Sequence, residues 1–131
     1  MTTHTLDQQR AALAWQYAKS GMSTQYAKEY KGLAKGAPAL IMNSGLMPTL
    51  AFYNGKGKAA QHLLDDLIRG MTKRLTEQDL KHGQGVVQFP NFMEMLQTRD
   101  SSNYLRHTDE ALELLKWIRQ FVDAVETGER A

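Results

Sequence analysis

One stretch near the C-terminal end constrains the fold more than any other. Between residues 102 and 126, Leu105, Ala111, Leu112, Leu115, Ile118, Val122 and Val125 recur at helical spacing, joined by Leu114, Trp117 and Phe121. The polar line on the same stretch is narrow: Glu113, Lys116, Gln120 and Asp123. A helix that is apolar around so much of its circumference has to be covered on several sides. The pattern predicts a long last helix, starting near Ser102-Asn103 with Gly128 beyond its end. It lies either at the centre of a bundle or with part of its face on another subunit.

The rest of the chain supplies helices to pack around it. Residues 58–75 carry a broad apolar stripe of Ala60, Leu63, Leu64, Leu67, Ile68, Met71 and Leu75, with Asp65, Asp66, Arg69 and Lys73 off the stripe. Thr5-Leu6-Asp7-Gln8 fits a capping box, in which the Thr5 hydroxyl accepts an amide hydrogen and Gln8 reaches back. A first helix is predicted from there to about Ser20, stopping at Gly21, with Leu6, Leu13 and Tyr17 on one side. Ser23 or Thr24 then caps a second helix carrying Tyr26, Tyr30, Leu33 and Ala37. Helical order is expected to weaken at Gly36, since glycine costs about 1 kcal/mol relative to alanine in a helix interior. Pro38 suits a first turn, so a new turn is expected through Leu40, Ile41 and Met42 and a C-cap at Gly45. A short helix over 47–53 is expected to end at Asn54-Gly55. Gly83, Gly85 and Pro90 punctuate the least helical stretch, 82–90, read as a loop whose apolar residues plug a groove, with a short helix over 92–97. One short extended run cannot make a sheet alone. The expectation is an all-α, compact, single-domain bundle of five to six helices over 1–131, its core over about 6–126.

Composition narrows the function. A chain of 131 residues with 42% apolar and 23% charged residues is long enough to bury a core and shows no signature of disorder. There is no cysteine, which excludes disulfides, thiolate metal sites and a cysteine nucleophile. The first nine residues lack the basic run and apolar core of a signal peptide, and no apolar stretch approaches the roughly 20 residues of a membrane span. The expected location is the cytoplasm, with no membrane partner.

The charge is small overall, +2, but unevenly placed. Residues 19–58 hold six lysines against Glu29 alone, net +5, whereas residues 77–131 hold ten acidic and six basic residues, net −4. Such asymmetry fits one face for a polyanion and another for a protein neighbour or a copy of the chain. Uneven placement of solvated helix charge accounts for it equally well.

No catalytic constellation stands out. His4, His62, His82 and His107 form no His-Glu-x-x-His pattern. His62 with Asp65 and Asp66, at i, i+3 and i+4, is the nearest approach to a ligand cluster, but a metal needs further groups to complete its shell, and a solvated polar face explains the spacing too. Asn54-Gly55-Lys56-Gly57-Lys58 resembles a phosphate-cradling loop ahead of a helix. It lacks the preceding strand and the Gly-x-x-x-x-Gly-Lys-Ser/Thr spacing of a nucleotide site, so the contact it fits is a nonspecific nucleic-acid phosphate, or else it is an inter-helix turn with two solvated lysines.

Two blocks carry a family resemblance. The first is Pro38-Ala39-Leu40-Ile41-Met42-Asn43-Ser44-Gly45-Leu46-Met47-Pro48-Thr49-Leu50-Ala51-Phe52-Tyr53 followed by Lys56. The second is Tyr104-Leu105-Arg106-His107-Thr108-Asp109-Glu110-Ala111-Leu112, continuing through Leu115-Lys116-Trp117-Ile118-Arg119-Gln120-Phe121. Together with Gln9-Arg10-Ala11 and Ala14, their order and spacing resemble the small helical subunit of the type III-B CRISPR effector, the Cmr RNA-targeting complex of antiviral defence. The resemblance implies a helical bundle without catalytic residues, metal or cofactor. It implies stacking of several copies inside a ribonucleoprotein filament, beside the backbone subunits that hold the CRISPR RNA and the large subunit, and lining of the groove that target RNA occupies.

In that setting lysine and arginine contact phosphates without reading sequence. The candidate RNA-binding residues are Lys28, Lys31 and Lys35, a line at i, i+3 and i+7, then Lys56, Lys58, Arg106, Lys116 and Arg119. Three other readings compete. A spacer that packs without touching RNA would give no RNA crosslink inside the complex. A small enzyme built on His62, Asp65 and Asp66 would show bound metal and turnover. A free-standing DNA-binding protein would need a helix-turn-helix with a basic recognition helix, which the sequence does not show.

Overall fold

A computed structural model of the chain describes residues 5–73 and 87–130, with side chains of the last helix described as far as Val125. Six helices and no strand occur among the described residues: α1 (Leu6–Met22), α2 (Ala27–Ser44), α3 (Leu46–Asn54), α4 (Lys58–Met71), α5 (Phe89–Thr98) and α6 (Ser101–Arg130). The chain is an all-α bundle. The expectations for residues 74–86, including the end of the fourth helix at Leu75 and most of the glycine-punctuated loop, lie outside the described residues.

Local chemistry explains most boundaries. Thr5 Oγ1 accepts from the Gln8 amide at 3.0 Å, and the Thr5 amide donates to Gln8 Oε1 at 2.7 Å, completing the capping box. Gly45, at φ +95°, ends α2 with its amide on the Ile41 carbonyl and opens α3 with its carbonyl accepting from the Thr49 hydroxyl at 2.9 Å. Pro90 sits in the first turn of α5, where its missing amide hydrogen is not needed. That helix starts three residues earlier than predicted.

Four expectations need correction. Ser23 and Thr24 do not open α2. Their hydroxyls donate backwards, to the Lys19 carbonyl at 2.6 Å and the Gly21 carbonyl at 2.8 Å, and so finish α1, which runs through Gly21 to Met22. α2 begins after Tyr26 with no side-chain cap. It continues unbroken through Gly36 and Pro38, because tertiary packing of Tyr30, Ala34, Ala37 and Ile41 outweighs the local cost. α6 passes Gly128 and reaches Arg130. Leu105 and Leu6 belong to the apolar lines of their helices, but both are exposed, Leu105 at 60%.

α6 is the spine of the bundle. It packs most extensively on α1 and also on α2 and α4. Leu114, Leu115, Ile118 and Val122 are fully buried, which places the helix centrally, as its broad apolar face required. Two glycines permit close approach. A Cβ at Gly21 would lie 2.3 Å from the Tyr30 ring, and one at Gly70 would lie 2.6 Å from Leu114 Cδ1. The buried apolar residues of all six helices form one core cluster.

Candidate nucleic-acid interface

The end of α1 and the starts of α2 and α4 meet at one end of the bundle, joined by His62. Its Nε2 lies 3.2 Å from Ser20 Oγ on α1, and its Nδ1 lies 2.8 Å from the Tyr26 hydroxyl on α2. One turn deeper, Asp66 accepts a hydrogen bond from the Tyr30 hydroxyl at 2.9 Å. Tyr26 meeting His62 and Tyr30 meeting Asp66 show that α2 and α4 run in the same direction. Their N-termini therefore share this end.

The polar column runs inward from His62 to a buried carboxylate. Asp66 is 2% exposed. Burial pushes its carboxyl up to about 7, although the Tyr30 hydroxyl and Arg69 pull the other way. Burial also lowers the His62 pKa below the usual imidazole value. Asp65 points elsewhere and accepts from Gln61 Nε2 at 3.0 Å. Both ring nitrogens of His62 already face hydroxyls, and among the described residues no three His, Cys, Asp or Glu side chains gather as a metal site.

Lysines lie near the members of this column in sequence. Lys19 precedes Ser20, Lys28 lies two residues past Tyr26, and Lys58 is one turn before His62 on the same helix. Lys56 stands in the loop that leads into α4. All four are exposed, and none has an ion-pair partner among the described residues. The helix starts add to the field, since neither Tyr26 nor Gly57 caps its helix through a side chain, although Glu29 lies in the first turn of α2. Glu29 and Asp65 are the exposed carboxylates closest in sequence.

The structure divides the predicted site residues. It places Lys28 and Lys58 in the first turns of α2 and α4, and Lys56 in the loop between α3 and α4. Lys31 and Lys35 instead converge on Asp123 of α6, at 3.2 and 2.9 Å, and their hydrogen bonds hold the Asp123 carboxyl below the usual carboxylate value. Lys116 lies 3.7 Å from Glu113 and over the Trp117 ring. Arg119 is exposed one turn before Asp123. Arg106 is exposed near the start of α6, close to Tyr104, whose hydroxyl accepts from the Met47 amide at 3.1 Å. That contact lies beyond the C-terminal end of α2, at the start of α3, nine residues before Lys56. Sequence reasoning did not single out Lys19, although it opens the basic segment. It also missed Phe52, which is 52% exposed with the Lys56 ammonium 5.2 Å from its ring centroid. No helix among the described residues is long and apolar enough to cross a membrane.

Known proteins place this arrangement in a family. Residues 6–125 match the family model described as CRISPR-associated protein (Cas_Cmr5). A Thermus thermophilus protein described as CRISPR system Cmr subunit Cmr5 is 26% identical over 121 residues, covering 92% of this chain and 96% of its own. The crystal structure of a CRISPR-associated Cmr5 family protein, also from Thermus thermophilus, superposes with a TM-score of 0.73 at 27% identity, covering 94% of this chain and 98% of that one. With nearly the whole chain matched in sequence and in the packing of its helices, the protein belongs to the CRISPR-associated Cas_Cmr5 family.

Proposed function

We propose that the chain is the small, non-catalytic subunit of an RNA-guided CRISPR Cmr complex in the cytoplasm. It forms one domain, stacks beside further copies along the inner filament, and touches target RNA phosphates without reading their sequence. The observation that carries this reading is that Lys19, Lys28, Lys56 and Lys58 are exposed and without an ion-pair partner among the described residues, with Lys28 and Lys58 in the first turns of two helices that lack a side-chain cap. Several carboxylates of the acidic half are committed inside the chain. Glu110 pairs with Arg10, Asp123 with Lys31 and Lys35, and Glu113 with Lys116. Lys28 and Lys58 thus leave positive charge near the starts of α2 and α4, which favours that end as the strand-facing surface.

The test uses the assembled complex and measures target RNA affinity across a salt series. Replacing Lys28, Lys56 and Lys58 by glutamate is expected to weaken binding about tenfold or more and to flatten the salt dependence by about 2 in log–log slope. Replacing Lys31 and Lys35 is expected to do less, because Asp123 already neutralises much of their charge. Unchanged affinity and slope in the first variant would defeat the reading. Exposed Leu40, Met42 and Leu105 favour a second reading, a spacer that makes protein contacts alone. Normal assembly with no RNA crosslink to this chain would select it.

A further inference from the structure

Phe52 is not explained by the core or by the phosphate contacts. On α3 the side chains of Leu46, Leu50 and Tyr53 are fully buried, whereas Phe52 turns outward and is 52% exposed. Its ring lies beside the Asn54-Gly55-Lys56-Gly57-Lys58 loop, with the Lys56 ammonium 5.2 Å from the centroid. A cation at this distance is attracted to the ring quadrupole. The chain from Lys31 to Leu63 holds lysines but no carboxylate, and the exposed carboxylate that shares a cleft with Asn54 is Asp65. Among the described residues, a Cβ at Gly55 or Gly57 would meet nothing within 4 Å.

We propose that Phe52 is a stacking platform for one unpaired nucleobase, while Lys56 and Lys58 hold the phosphates flanking that nucleotide. The inference rests on the RNA-contact reading above and assigns it a base-binding residue. An exposed aromatic ring beside a lysine that has no carboxylate partner among the described residues is the combination that binds single strands without sequence preference, because every base has a π-face and every nucleotide a phosphate. A hydrophobic protein neighbour needs no such surplus of positive charge around its contact. Charge complementarity therefore favours the nucleic-acid strand as the occupant.

The test measures binding of the full chain to two short oligomers of equal length, single-stranded oligouridylate and a ribose-phosphate strand lacking bases. The chain is expected to bind oligouridylate about 5- to 150-fold more tightly. Phe52→Leu keeps the apolar bulk of this exposed side chain and removes the ring. It is expected to erase that preference with an unchanged circular dichroism spectrum, and Phe52→Trp is expected to restore it. Changing Lys56 and Lys58 together to glutamine should weaken both oligomers alike. A preference that survives Phe52→Leu overturns the proposal, as does equal binding of the two oligomers by the unaltered chain. So does a Phe52→Leu chain that keeps the preference but no longer assembles with other subunits, which would assign the ring to a protein contact. Binding of neither oligomer overturns the stacking inference alone, because phosphate contact is tested separately in the assembled complex.

Discussion

Asp66 is a buried acid held within reach of Tyr30, Arg69 and His62, at 2.9, 3.4 and 3.6 Å. Burial is the largest cause of its raised pKa, about 7 against an ordinary 3.8, and the charge of Asp65 adds to it. Folding therefore favours the neutral acid. The stability this contributes is fully present below pH 3.8 and is lost as pH rises through about 7. His62 works in the opposite sense. Its lowered pKa favours the neutral ring, a contribution present above 6.5 and lost as pH falls. The same environment drives the Tyr30 hydroxyl far above its usual range and pushes Tyr17 up to about 12, burial being the first cause in both. Asp66→Asn keeps an acceptor for Tyr30 and removes the titrating group. Its melting temperature is expected to match or exceed the unaltered chain's at about pH 8, with the advantage shrinking toward about pH 4. An advantage of the same size at both pH values would show that Asp66 does not titrate between them.

Helices form in this chain from local signals, and fail to follow them where packing intervenes. The capping box at Thr5 and the corner at Gly45 are legible because each is completed within four residues. Pro38 reads as a boundary on equally good local grounds. Yet α2 carries it in mid-helix, with Ala34 and Ala37 fully buried on one side and Ile41 one turn beyond. A proline there lacks a hydrogen-bond donor and crowds the preceding turn. Pro38→Ala is expected to stabilise the chain by about 2 kcal/mol, net of the unfolded-state freedom it restores. Thermal unfolding checks this. A lower melting temperature would mean that the proline's own packing outweighs the hydrogen bond it forgoes.

Across the whole molecule, the contacts that fix one helix against another join residues far apart in sequence. Arg10 of α1 donates to both carboxylate oxygens of Glu110 on α6, at 2.9 and 2.8 Å, and the Glu110 side chain is only 4% exposed. The bond to Glu110 is the first cause of the raised Arg10 pKa. Such a pair locks the register of α1 on α6. Removing one member leaves the other charged and buried, a change that costs about 3–5 kcal/mol. Arg10→Met is expected to lose that order of stability in urea unfolding. Adding Glu110→Gln to it should recover part of the loss. If the single variant unfolds at the same urea concentration as the unaltered chain, the pair does not hold the helices together.

The sequence by itself determined the helical class, the long buried last helix, the capping of α1 and the corner between α2 and α3. It also carried the family resemblance, through two blocks at the α2–α3 corner and along α6. These features depend on periodicity and on hydrogen bonds that close within a turn, so the linear order contains them. Tertiary structure alone decided which lysines are free. Lys28, Lys31 and Lys35 look equivalent on a helical wheel, but Lys31 and Lys35 meet Asp123, 88 residues beyond Lys35, and Lys28 does not. It also decided that Leu105 and Phe52 face outward and that His62 joins three helix ends. The reason is physical. A charge or ring acquires its partner only once helices dock, and docking is set by the sum of many apolar contacts that no short segment encodes.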